Sequence, residues 1–168
     1  LLNKRAIGYV NWHRGRKFVH RREVLDLLTR DLHERKPDHI AVTGDLVNLA
    51  LEAEFKPAPA WLESVGTPQQ VTVVPGNHDA YVRATRHHFV DAFEPYLRGD
   101  AETNGTPFPF VRRRGPLALI GVSSAVPTPP LMATGRLGRA QIDALDRQLA
   151  DLSTEDAFRV LLVHHPLH

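Results

Sequence analysis

Three apolar segments of the chain have the pattern of buried strands, and each is followed closely by residues that can bind a metal ion. The residues that follow them are Asp45, Asn77, His78 and His164. Carboxylate oxygen, amide oxygen and imidazole nitrogen form a ligand set for divalent ions. Because ligands of an open α/β sheet bind beyond the carboxyl ends of the strands, we expect these side chains to share one site.

Such a site suits phosphoryl displacement. Two divalent ions about 3.5–4 Å apart stabilise the attacking and the leaving oxygen, and they make hydroxide available near neutral pH. Asn77 can present a neutral oxygen to a metal, and His78 beside it would face the substrate. Asp79 could hold the ring of His78 in one tautomer. Gly44 and Gly76 allow the backbone to turn tightly after each strand.

The site residues need a framework of helices and strands, and apolar periodicity predicts one. Helices are predicted over 22–35, 52–65, 83–97 and 138–152, and strands over 39–43, 70–74, 108–114, 117–122 and 159–163. The firm part of the second helix should begin near Pro57, because a helix interior does not tolerate proline. Residues 1–21 are basic and contain Gly8 and Gly15, so we expect an irregular or partly helical entry segment there. The order of elements is of the α/β class.

Length and composition favour one globular domain over residues 1–168. The chain has no Cys, which excludes disulfides, thiolate metal sites and a Cys nucleophile. No apolar stretch approaches the ~20 residues needed to cross a bilayer. The first residues lack the apolar core and cleavage site of a signal peptide. We therefore expect a cytoplasmic protein.

Positive charge is concentrated near the start of the chain. Between Lys4 and Lys36 there are ten basic and four acidic residues, although the whole chain carries only +2. Such a surface can bind nucleic acid, anionic lipid or a phosphorylated substrate, but it is more often simply a solvated face. Few aromatic residues, Trp12 and Phe18 among them, interleave with these charges, so nucleic-acid binding is weakly supported.

Three motifs, in order, resemble those of the calcineurin-like metallophosphoesterase family and its bacterial branch in particular. They are G-D-x-x-N at 44–48, G-N-H-D at 76–79 and V-H-H-P at 163–166. The segment 135–149 also resembles the part of bacterial members that precedes the last of these motifs. The resemblance covers about residues 22–168. It implies a β-sandwich of the metallophosphoesterase type flanked by helices, incomplete at both ends.

The resemblance also implies a function and roles for single residues. The function is hydrolysis of a phosphomonoester or phosphodiester, by a metal-bound hydroxide at a centre of two divalent ions (Mn, Fe or Zn). Asp45 would bridge the two metals, and Asn77 and His164 would bind the second, with His165 as the alternative to His164. His78 would stabilise the phosphoryl oxygens or protonate the leaving group, with Asp79 as its orienting partner. The residues that support the loops would be Gly44, Asn48 and Gly76.

Two family motifs have no counterpart in the chain. The first is D-x-H, which should precede residue 1, and the second is G-H-x-H, which should follow residue 168. We therefore expect a fragment that binds metal weakly and is nearly inactive alone, while the longer protein is the enzyme. Asp31 and His33 have D-x-H spacing, but they lie within a predicted helix, so we interpret them as structural.

Two other functions compete with the enzyme. A fold of this type can serve as a binding module after losing its ligands. Alternatively, the basic entry segment could bind nucleic acid or an anionic membrane, with an affinity that falls steeply with salt. Neither the substrate, the metal nor the oligomeric state follows from these residues.

Overall fold

The computed structural model describes residues 4–19, 21–83, 86–101, 107–130 and 132–167. Its helices are α1 (Lys4–Asn11), a π-helix (Trp12–Arg16), α2 (Lys17–Val19), α3 (Arg22–Arg35), α4 (Glu52–Phe55), α5 (Ala58–Val65), α6 (Arg86–Phe93), a 3₁₀ turn (Glu94–Tyr96) and α7 (Arg139–Leu152). Its strands are β1 (Ile40–Val42), β2 (Val71–Val73), β3 (Phe110–Arg114), β4 (Leu117–Gly121) and β5 (Phe158–Leu162). None of the helices described is long and apolar enough to cross a membrane.

The strands form two sheets that share one apolar core. In the first sheet β1 and β2 are parallel, with Ile40 beside Val71. In the second, β4 lies between the antiparallel β3 and the parallel β5. Val73 of the first sheet and Phe110 and Leu162 of the second belong to the same buried cluster. The α/β class with two small sheets and flanking helices is therefore confirmed.

The predicted helices differ from the observed ones at proline and at the start of the chain. The helix expected over 52–65 is two helices, α4 and α5, which separate at Pro57. The helix expected over 83–97 is observed as α6 followed by the 3₁₀ turn at Glu94–Tyr96, and residues 84–85 lie outside the described part. The entry segment was expected to be irregular or partly helical, and it is helical from residue 4 to residue 19.

Helix α3 has the predicted bounds, and its apolar side chains lie at the surface. None of its residues is buried, and Leu27 and Leu28 are more than half exposed. Asp31 forms an ion pair with Arg35 at 2.7 Å, and His33 Nε2 lies 3.2 Å from the Val65 carbonyl oxygen. The D-x-H spacing on this helix is thus accounted for by structural contacts.

A buried arginine joins the two sheets. The Arg112 guanidinium of β3 donates to four backbone carbonyls and one hydroxyl, those of Pro68, Val71, Pro95, Arg98 and Thr72. Among the described residues no carboxylate forms an ion pair with it. Burial, and secondarily Arg114, lowers the pKa of Arg112 to about 10. Because every acceptor is fixed backbone or a buried side chain, this residue holds β2 against β3 and so stabilises the strand from which the central site loop emerges.

Candidate metal centre

The loops that follow β1 and β2 touch each other, and glycine makes this possible. Gly44 has φ +104°, and a Cβ there would lie 2.2 Å from the backbone nitrogen of Gly76. A Cβ at Gly76 would lie 2.2 Å from Asp45 Oδ1. Asp45 itself has φ +60°, an uncommon conformation for a residue other than glycine. This contact brings the Asp45 carboxylate to the loop that carries Asn77 and His78.

The side chain of Asp79 holds the loop after β1 and the loop after β2 together. Its Oδ2 accepts the backbone N–H groups of Asp45 and Gly76, both at 2.8 Å, and its Oδ1 accepts that of Val47 at 3.1 Å. The residue is fully buried. Burial raises the pKa of the Asp79 carboxyl to about 6, against the three N–H donors, which act to lower it. The side chain therefore connects the backbone around one candidate ligand to that around the other.

This arrangement corrects the role expected for Asp79. The carboxylate was expected to orient the ring of His78. Instead, all of its hydrogen bonds within the described part of the chain are accepted from backbone N–H groups. The ring of His78 donates its Nδ1 hydrogen to the Asn48 carbonyl oxygen at 2.6 Å. The orienting partner of His78 is thus the backbone of Asn48.

Two further contacts hold His78. Its backbone N–H donates to Asp45 Oδ1 at 2.9 Å, and its ring stacks on Tyr81, with centroids 5.5 Å apart and planes 15° apart. Since Nδ1 is used by the Asn48 carbonyl, any proton exchange between the ring and a bound molecule would involve Nε2. Tyr81 was not among the residues predicted for the site, although an aromatic residue three positions after His78 is visible in the sequence.

His164, which follows β5, meets the other two candidate ligands. Its Nε2 lies 3.2 Å from Asn77 Oδ1 and 3.6 Å from Asp45 Oδ2. Its Nδ1 donates to the Thr43 carbonyl oxygen at 2.6 Å, so Nε2 is the ring nitrogen that faces the two oxygens. Both oxygens are acceptors, so either a hydrogen on Nε2 or a metal ion in its place would hold the three atoms together. A carbonyl bond on the second ring nitrogen is typical of metal-binding histidines.

His165 lies in a different environment. Its Nδ1 is hydrogen-bonded to Ser124 Oγ at 2.7 Å, and a Cβ at Gly135 would lie 2.3 Å from its ring. Burial, and secondarily His164, lowers the pKa of His165. Of the two neighbouring histidines, the structure brings His164 to Asp45 and Asn77, and it packs His165 against the loop after β4.

Comparison with known proteins gives the family. Residues 12–168 match the calcineurin-like phosphoesterase family. The chain belongs to this family. It is also similar to a protein of Synechococcus sp. described as a probable cyclic nucleotide phosphodiesterase. The two are 27% identical over 136 residues, which cover 81% of this chain and 45% of the relative. The matched part of the chain thus spans less than half the length of that relative.

Calcineurin-like phosphoesterases use divalent metal ions, and the donors observed here are suited to one. Carboxylate, amide and imidazole are borderline to hard ligands. Within the described residues no group of three or more His, Cys, Asp or Glu side chains could hold a metal ion, and the converging set is one carboxylate, one amide and one imidazole. Since divalent ions take about four or more ligands, these three would fill only part of a coordination sphere.

Proposed function

We propose that this chain carries the central part of the reaction centre of a metal-dependent phosphoester hydrolase. One observation carries the proposal: His164 Nε2 lies 3.2 Å from Asn77 Oδ1 and 3.6 Å from Asp45 Oδ2. Membership of the calcineurin-like phosphoesterase family supports the reaction class. The name of the Synechococcus relative supports a phosphodiester among the substrates.

In this proposal Asn77 and His164 would hold one of two divalent ions, and Asp45 would contribute its carboxylate to the centre. The His78 N–H fixes Oδ1 of Asp45, and this leaves Oδ2 facing His164. Manganese, iron and zinc all accept this ligand set. When bound, such ions withdraw charge from the phosphoryl oxygens and lower the pKa of a water molecule.

His78 acts on the substrate rather than on the metal. The Asn48 carbonyl holds its Nδ1 hydrogen, and the Tyr81 ring fixes the plane of the imidazole. A protonated Nε2 can then donate to a phosphoryl oxygen or to the oxygen of the leaving group as the phosphorus–oxygen bond breaks. Asp79 acts indirectly, because it holds the loops of Asp45 and Asn77 in contact.

Hydrolysis of p-nitrophenyl phosphate and bis-p-nitrophenyl phosphate with added Mn²⁺ tests this function. The assay compares the 168-residue chain with a longer version that also contains the residues encoded on either side of it. We expect turnover by the longer version, loss of turnover on chelation, and recovery when Mn²⁺ is restored. The short chain should be nearly inactive, since it supplies only three of the ligands.

The same experiment can contradict the proposal. If neither version hydrolyses either ester and elemental analysis finds no bound metal, the result would favour a binding module built on this fold. Turnover that survives complete chelation would exclude metal-dependent hydrolysis.

A further inference from the structure

A cavity of about 190 Å³ lies beside His78, between helix α1 and the loops that carry the candidate ligands. Its polar lining consists of Lys4, Asn11, Asn48, Asn77, His78 and Tyr81. The remaining lining residues are apolar or glycine, and no carboxylate is among those described. A cavity with one lysine, one imidazole, three amides and no acidic group favours an anionic ligand.

Lys4 is the cation of this cavity. Its Nζ lies 4.4 Å from the centroid of the Tyr81 ring and donates to Thr128 Oγ1 at 2.9 Å. Within the described part of the chain no carboxylate lies within ion-pair distance of it. Partial burial lowers the pKa of Lys4. The protein thus holds a partly buried ammonium group with only a hydroxyl and a ring face as partners, and an anion would stabilise it.

Specific contacts hold α1, and therefore Lys4, at this position. The Arg5 guanidinium donates to the carbonyl oxygens of Leu49 and Ala50 at 3.1 and 2.5 Å. A Cβ at Gly8 would lie 2.6 Å from Tyr81 Oη. The helix therefore approaches the Tyr81 ring more closely than a residue with a side chain would allow, and Tyr81 in turn stacks on His78.

We propose that Lys4 and this cavity form a subsite for an additional anionic phosphate oxygen of the substrate. The proposal rests on the proposed function, which assigns the reacting phosphoryl group to Asp45, Asn77, His164 and His78. A simple diester carries one charge, which those groups would take. The further charge that Lys4 would bind is either the second charge of a phosphomonoester or the charge of a neighbouring phosphate in a pyrophosphate. The preferred substrate is then one of these two, rather than a simple diester.

Binding of non-hydrolysable probes tests the subsite without turnover. Isothermal titration calorimetry with Mn²⁺ present, in mildly alkaline buffer, compares three ligands. Phenylphosphonate carries two negative charges on one phosphorus atom. P,P′-dimethyl methylenediphosphonate carries one negative charge on each of its two phosphorus atoms. Methyl phenylphosphonate carries a single negative charge. The variants are Lys4→Gln, Lys4→Arg, which keeps the charge, and Arg14→Gln, which removes one charge from the same helical segment at an exposed position.

We expect Lys4→Gln to weaken binding of a doubly charged probe by about tenfold or more and to leave methyl phenylphosphonate unchanged. Lys4→Arg and Arg14→Gln should retain binding. The doubly charged probe that loses affinity identifies the source of the second charge. Equal binding of all three probes by wild type and Lys4→Gln would overturn the proposal, as would a loss of equal size for every probe or no binding of any probe to the wild type.

Hydrolysis assays distinguish failure of the Lys4 subsite from failure of the proposed hydrolase function. In the active version, Lys4→Gln should lower kcat/KM for p-nitrophenyl phosphate if the second charge lies on the reacting phosphorus, or for P¹,P²-diphenyl pyrophosphate if it lies on a neighbouring phosphate, and in neither case for bis-p-nitrophenyl phosphate. Turnover that Lys4→Gln leaves unchanged for all three substrates overturns the subsite but not the enzyme. Lys4-dependent binding of phenylphosphonate with no turnover of any ester keeps the anion site and overturns the hydrolase.

Discussion

Replacement of His78 by alanine is expected to lower kcat for phosphoester hydrolysis by about 10³-fold, within the usual range for loss of a positioned proton donor. The backbone N–H of residue 78 remains, and so does its hydrogen bond to Asp45 Oδ1. Metal affinity and folding should therefore be unchanged. The loss should appear in kcat more than in KM, because Nε2 is proposed to act on the transition state.

The leaving group decides which of its two proposed roles His78 performs. A p-nitrophenolate leaves without a proton, whereas an alkoxide requires one. If His78 protonates the leaving oxygen, His78→Ala should reduce hydrolysis of glycerol phosphate more than that of p-nitrophenyl phosphate. Equal losses would indicate stabilisation of the phosphoryl oxygens. His87→Ala, at an exposed position on α6, is the matched control. Wild-type rates for His78→Ala with both substrates would remove His78 from the reaction.

Replacement of Asp79 by asparagine is expected to have the largest effect on stability, a loss of about 3 kcal/mol in the free energy of unfolding. The carboxylate accepts three backbone N–H groups from two loops. An amide can accept with only one of its two polar atoms, so its NH₂ group would face a buried donor. The two loops should then separate, and the affinity for Mn²⁺ should fall with the stability.

Urea unfolding of the 168-residue chain in mildly alkaline buffer, where Asp79 is ionised, measures this loss. Asp45→Asn is the matched control, since it makes the same chemical change at a side chain that is 35% exposed. That variant should stay close to the wild type in stability while losing metal affinity. Wild-type stability in Asp79→Asn would show that the three N–H bonds do not hold the loops together.

The positions of the candidate ligands could be predicted from sequence because they depend on local order. An apolar strand followed by glycine and a polar residue specifies where the chain turns, and parallel strands deliver such turns to one edge. The choice between His164 and His165 could not be predicted in this way. It depends on Thr43, whose carbonyl binds the ring of His164, and on Ser124, whose hydroxyl binds the ring of His165. Both partners are distant in sequence from the histidines.

The role of Asp79 was predicted wrongly for a related reason. A carboxylate beside a histidine suggests a side-chain pair, and the sequence gives no sign of backbone N–H groups that converge from another loop. The exposure of α3 could not be predicted either, since an apolar stripe indicates a helix but not the surface that covers it. Lys4 reaches Thr128 across 124 positions of sequence, a contact that no local pattern shows.

Titration of the 168-residue chain with Mn²⁺, followed by electron paramagnetic resonance, tests the central claim most directly. The claim is that Asp45, Asn77 and His164 hold a divalent ion. We predict weak but measurable binding by the wild type, a loss of about tenfold or more in His164→Ala, and retention in His165→Ala, with circular dichroism to verify the fold of each variant. Equal affinity of wild type and His164→Ala, or a loss confined to His165→Ala, would contradict the account.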